Sequence, residues 1–147
     1  MVHCLKVILQ GLCLLYLLVI SFYDIREGRI PNILTLAFFA ATLLADIITA
    51  PSKIPKNLLC ASFFFSVFYF VSGLTNGLGM GDAKMAAALG YGAGFFKTSL
   101  SLILACSAGV MFFIAAKAAK RVVKKIPLAP FVTVGYAMSE LFCRRIL

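Results

Sequence analysis

Apolar residues run in long blocks along this chain, and polar residues gather in the short stretches between them. The blocks are apolar all round, without the alternation of a half-buried strand or the single stripe of a surface helix. Stretches with almost no charge fall at residues 4–23, 33–50, 57–74, 83–96, 98–116 and 128–143. At about 1.5 Å of rise per residue, most of these are long enough to cross a hydrocarbon core of roughly 30 Å. The pattern predicts an all-α fold, a polytopic transmembrane helix bundle of about six spans forming one membrane-embedded domain over residues 1–147. Helix is required there because lipid offers the backbone no hydrogen-bond partners. The fourth stretch is short and carries Gly90, Gly92 and Gly94, which allow close helix contact and also loosen the helix. It is expected either to pack deep inside the bundle or to dip part-way into the bilayer.

Composition strengthens this picture. The chain has 147 residues, of which 63% are hydrophobic and 13% charged, and its mean hydropathy of +1.04 exceeds what a water-soluble domain of that length can bury. A net charge of +9 raises the question of nucleic acid. The 14 Lys and Arg sit at the ends of apolar blocks instead of forming one basic face, so anionic lipid headgroups are the expected partner and nucleic acid is not. Cys4, Cys13, Cys60, Cys106 and Cys143 are widely spaced inside or beside apolar blocks, without a CxxC pair. They read as lipid- or core-facing hydrophobes, and no metal or cofactor site is expected from them.

Orientation follows from the basic residues on alternate connections. Arg26, Arg29, Lys84, Lys117, Lys120, Arg121, Lys124 and Lys125 lie on one side, against Lys6, Lys53, Lys56, Lys97, Arg144 and Arg145 on the other. The excess places the first, third and fifth connections in the cytoplasm and the N-terminus outside. A cleaved signal peptide over residues 1–21 is a weaker alternative, because further apolar spans follow and Arg26 and Arg29 outweigh Lys6.

The chain keeps only five acids, Asp24, Glu27, Asp46, Asp82 and Glu140, and ionisable groups beside hydrocarbon are costly to retain. Asp24 ends the first span and Asp82 begins the fourth, so the intervening chain crosses twice and returns. Both aspartates therefore face the same side. Two carboxylates sharing one proton can hydrolyse a peptide bond, one taking a proton from water while the other donates to the scissile carbonyl. Parity of crossings is necessary for this and not sufficient. On the residues alone, Asp24 reads equally as a charge marking a helix end and Asp82 as an N-cap. Asp46 is expected near the outer interface in a structural role, and Glu140 in an i, i+4 ion pair with Arg144.

Motifs sharpen the choice. Gly79-Met80-Gly81-Asp82 resembles the GxGD signature of membrane aspartic peptidases, and Asp24-Ile25-Arg26-Glu27-Gly28-Arg29-Ile30-Pro31-Asn32 resembles the type IV prepilin peptidase pattern, an Asp ahead of an Ile-Pro-Asn that opens the next helix. Ile126-Pro127-Leu128-Ala129-Pro130-Phe131, followed by Gly135, is similar to the proline-containing entry to that family's last span. The resemblance implies an aspartic endopeptidase with Asp24 and Asp82 as catalysts, cleaving the short basic leader of prepilin or pseudopilin substrates at the cytoplasmic face of a bacterial inner membrane. Pro31, Asn32, Gly79 and Gly81 take positional roles, the glycines by letting the backbone turn tightly and approach a substrate strand. Lys84 and Glu27 are candidates for substrate contact, with headgroup snorkelling and simple solvation as their ordinary alternatives.

The long family members carry a cytoplasmic insertion with paired cysteines linked to methylation. This chain lacks it and resembles the short, peptidase-only form found with tight-adherence pili. Pairing with a second copy, a homodimer, stays open. Two alternatives remain: a presenilin-like intramembrane protease, which would hold its first aspartate within a span, and a non-enzymatic small transporter or assembly subunit whose acids bind ions or partners.

Overall fold

The computed structural model describes residues 2–28, 30–75, 79–118 and 128–146, with the side chains of 2–7, 75, 113, 116, 117 and 144–146 excepted. Arg29, most of the basic run 117–125, and Ile126 and Pro127 lie outside the described residues, as do the side chains of Cys4, Lys6, Arg144 and Arg145.

Among the described residues six α-helices follow one another: α1 (Val2–Glu27), α2 (Asn32–Thr49), α3 (Ile54–Thr75), α4 (Met80–Ala93), α5 (Phe95–Ala118) and α6 (Ala129–Ile146), with one short 3-10 turn at Pro51–Lys53. Four of them, over Ile8–Glu27, Asn32–Thr49, Pro51–Leu74 and Phe95–Phe112, are long and apolar enough on their own to cross a membrane. Their outward faces carry Leu15, Phe22, Leu36, Ile48, Leu59, Phe70, Ile103 and Met111, all more than 50% exposed, an apolar surface suited to lipid and far beyond what a soluble monomer shows.

Helix α4 is the exception that organises the rest. Its 14 residues span about 21 Å at 1.5 Å each, short of the hydrocarbon thickness. Ala83, Met85, Ala86, Ala88, Leu89, Gly90 and Tyr91 are all buried, so α4 packs deep inside the bundle, the first of the two arrangements its glycines allowed. A Cβ on Gly90 would come within 2.7 Å of the Phe64 ring, and one on Gly92 within 2.9 Å of Phe38. Small residues therefore let α3 and α2 close directly onto the α4 backbone. At Gly94 the backbone takes φ of 81°, a conformation that favours glycine. It ends α4 and turns the chain into α5, where the Thr98 hydroxyl donates back to the Leu89 carbonyl (3.2 Å).

Neighbouring contacts fix the directions of the helices. Phe39 meets Tyr91 and Lys84 meets Asn32, so α2 and α4 run parallel. Tyr16 stacks on Phe38 with ring centroids 4.0 Å apart, and α1 runs antiparallel to both. Helices α5 and α6 form an antiparallel pair, tied by the Ser101 hydroxyl donating to the Val132 carbonyl (3.1 Å). Gly135 lies against the Ser101 carbonyl so closely that a Cβ there would collide with it.

Sequence-based boundaries shift at two places that matter. Helix α1 continues to Glu27 before Gly28, at φ of 62°, caps it by donating its N–H to the Asp24 carbonyl (3.0 Å). Asp24 thus lies within the last turn of α1 and not beyond its end. Helix α4 begins at Met80, which makes Asp82 its third residue and not its N-cap.

Candidate active site

One end of the bundle gathers the C-terminal turn of α1 and the N-terminal turns of α2, α4 and α6. Pro31 precedes α2 in extended conformation, and its carbonyl accepts the N–H of Leu34 (3.2 Å). The ring fixes φ and starts the helix at Asn32. The Asn32 side chain accepts, through Oδ1, a hydrogen bond from Lys84 Nζ at 3.0 Å. One residue row away, a Cβ on Gly81 would lie 3.0 Å from the Cβ of Ile30. The segment that follows Asp24 and the segment that holds Asp82 are therefore in direct contact, at the one end where the parity of crossings put both.

The two aspartates are held by backbone donors. Asp24 is buried, and its Oδ2 accepts the N–H of Ala129, the first residue of α6, at 3.1 Å. A carboxylate at that position faces the positive end of the helix dipole and takes up one of the N–H groups left without an intrahelical acceptor. Pro130, next along, has no N–H to offer. Asp82 is half-buried, and its Oδ2 accepts the N–H of Gly79 at 3.1 Å, so the side chain reaches back over the turn that opens α4. A Cβ on Gly79 would lie 3.6 Å from that oxygen, an ordinary contact, whereas at Gly81 the close packing is against Ile30. Met80 is 51% exposed and points away from the bundle.

Other sequence-predicted residues divide clearly. Glu27 is exposed at the same end, one turn beyond Asp24. Lys84 is occupied by Asn32 and ties the two motifs together. Asp46 and Glu140 lie toward the other end. Asp46 is buried and accepts a hydrogen bond from Asn57 Nδ2 at 2.8 Å, which fits the structural role expected of it. The partner expected of Glu140 along the helix, Arg144, has its side chain outside the described residues. The described partners of Glu140 are Lys97 Nζ, 2.6 Å away across the α5–α6 interface, and the Tyr136 hydroxyl at 3.1 Å. The packing of α5 on α6 brings Lys97 onto this carboxylate.

Sequence reasoning missed the α6 amide on Asp24 and the buried hydroxyl pair Ser21 and Thr133 beside it. A signal for the first was present: an Ala-Pro pair opening a helix leaves its amides in need of an acceptor, at the end of the bundle where topology puts Asp24. Cys13 and Cys60 are buried and Cys106 is exposed, all as free thiols, matching their reading as hydrophobes. No group of three or more His, Cys, Asp or Glu among the described residues is placed to hold a metal ion.

Comparison with curated proteins and with solved structures gives no match. Residues 11–114, well over half of the chain, match the family model described as the type IV leader peptidase family.

Proposed function

Since the chain belongs to the type IV leader peptidase family, we propose that it is an aspartic endopeptidase that removes the short basic leader from prepilin or pseudopilin substrates, with Asp24 and Asp82 as its catalytic pair. The observation that carries the reading is the direct contact of the two aspartate-bearing segments at one end of the bundle, through Asn32 with Lys84 and Ile30 with Gly81.

The chemistry asked of the pair is ordinary acid–base hydrolysis. One carboxylate takes a proton from water as its oxygen attacks the scissile carbonyl carbon, and the other, protonated, donates to the carbonyl oxygen. Collapse of the tetrahedral intermediate breaks the C–N bond and the departing amine takes up a proton. The different settings of the two aspartates, one on the amide of a helix start and the other beside the glycine turn that opens α4, support a division of labour between them.

The substrate enters as a helix lying in the bilayer with its leader in the cytoplasm, so that the bond after a leader glycine meets the aspartates. The excess of Lys and Arg on the first, third and fifth connections supports that orientation in the bacterial inner membrane. Glu27, exposed one turn from Asp24, supplies a charge complementary to a basic leader. Lys84, bonded to Asn32, acts by position rather than on the substrate.

Asp24 lies within the last turn of a helix apolar enough to cross the membrane, a placement shared with the presenilin-like alternative. The tight-turning Ile-Pro-Asn that follows it still favours the leader peptidase reading. The test is coexpression with a candidate prepilin, followed by mass spectrometry of the substrate's size and new N-terminus. Cleavage after the leader, lost with either Asp24→Asn or Asp82→Asn, is the expected result. Uncleaved product across several pilin-like substrates overturns it, and a transporter or scaffold would keep its role in both variants.

A further inference from the structure

Two hydroxyls that the proposed reaction does not use lie buried on the seam between α1 and α6, one turn deeper than Asp24. Thr133 Oγ1 is 3.1 Å from the Leu17 carbonyl oxygen on α1 and 2.9 Å from the Ala129 carbonyl oxygen on its own helix. Ser21 Oγ lies 2.5 Å from the same Thr133 oxygen. Carbonyls only accept, so the single Thr133 proton is directed to them and Ser21 is the donor of the hydroxyl pair.

These contacts make a ladder. Leu17, Ser21 and Asp24 follow i, i+4, i+7 spacing and share one face of α1. Thr133 engages the first two, and Ala129, one turn earlier on α6, engages the third. The bond from the Ala129 amide to Asp24 tolerates little sliding, because one residue of axial slip moves a helix by about 1.5 Å, enough to carry a 3.1 Å contact outside hydrogen-bond range. The buried hydroxyls lie directly beneath that amide on the same seam.

We infer that Thr133, with Ser21 as its donor, is a positioning residue: it fixes α6 axially on α1 so that the Ala129 amide holds the Asp24 carboxylate in one orientation. The inference rests on the reading of Asp24 as one of the catalytic pair. Its two halves, the register and the catalysis, are separable by measurement.

The experiment uses the full chain purified in detergent, with Thr133→Val, Thr133→Ser and Ser21→Ala. Exchange of the Ala129 amide is followed by NMR on alanine-labelled protein, and kcat and KM on a synthetic peptide with a basic leader, a glycine and an apolar helix. First-turn amides of a helix are ordinarily unprotected, so slow exchange at Ala129 reports its bond to Asp24. Thr133→Val is expected to speed that exchange about tenfold or more and to lower kcat by on the order of tenfold to a hundredfold with KM little changed. Thr133→Ser, which keeps the hydroxyl, restores both. Should the valine variant not fold, Ser21→Ala gives the same pattern at smaller amplitude.

Unprotected Ala129 in the unsubstituted chain, or protection and kcat both retained in Thr133→Val, overturns the inference. Faster exchange with unchanged kcat refutes the role in catalysis. If Ala129 responds as described while even the unsubstituted chain cleaves no peptide, the seam geometry is supported and the peptidase reading is what fails.

Discussion

The two ends of this bundle use their acids in opposite ways. At one end Asp46 and Glu140 are held by side chains from neighbouring helices, Asn57 for the first and Lys97 with Tyr136 for the second. At the other, Asp24 accepts the backbone amide of Ala129, and Asp82 accepts that of Gly79. A carboxylate neutralised by a lysine is committed to holding helices together, since breaking a buried pair leaves an uncompensated charge. A carboxylate that accepts an amide at a helix start is held in one orientation. Burial does not make this distinction, since Asp24, Asp46 and Glu140 are almost equally buried.

The largest expected effect tests that division. Asp24→Asn and Asp82→Asn each lower cleavage by on the order of 10³-fold or more with helical content and thermal midpoint retained, whereas Asp46→Asn cleaves within a fewfold of the unsubstituted chain. Equal losses at Asp46 and Asp24, measured on equal amounts of folded protein, would erase the distinction. Next in size, Lys97→Met removes the described cation from buried Glu140 and costs about 2–4 kcal/mol in denaturation of the detergent-solubilised protein. The double change Lys97→Met with Glu140→Met recovers most of it, and neither alters the kcat of the folded fraction. A double variant as unstable as the single one would show that the pair is not an isolated far-end lock.

Gly135→Ala falls between the two ends. Its methyl group meets the Ser101 carbonyl, a backbone atom that cannot rotate away, so about 1–3 kcal/mol of destabilisation is expected from the forced separation of α5 and α6. Part of the loss reaches activity, because α6 also carries Ala129. The smallest effect is at the exposed clasp of the site end. Asn32→Ala removes the acceptor of Lys84 and costs about 1 kcal/mol or less in stability, yet lowers kcat severalfold, because it loosens the join between the aspartate-bearing segments. A stability loss without any change in cleavage rate would make the clasp structural only.

Much of this architecture was legible in the sequence, for reasons that also mark the limit. Blocks apolar on all sides give helices in lipid whatever their partners, so the order of the six helices followed directly. Counting crossings put residues 24 and 82 at one end, and the contact of Asn32 with Lys84 agrees. Helix α4 was ambiguous because its alanines and glycines carry no stripe: the same small residues suit a buried helix and a loosened one, and only the closeness of Phe64 and Phe38 decides. The helix ends moved because Gly28 and Gly79 set them through backbone conformation, which hydropathy does not register. Tertiary partners were invisible for a simpler reason. Lys97 and Glu140 are 43 residues apart, and Asp24 and Ala129 are 105 apart, beyond any local spacing rule.

The account stands on the two aspartates acting on one water. The most direct measurement replaces the five native cysteines, introduces Asp24→Cys together with Asp82→Cys, and asks in native membranes whether the two positions are joined by oxidation or by a single-methylene crosslinker. Efficient joining of this pair, with none when Asp24→Cys is combined with a cysteine in place of Asp46, is the predicted result. Failure of positions 24 and 82 to join under any condition, with or without a leader peptide bound, would contradict the shared-water mechanism.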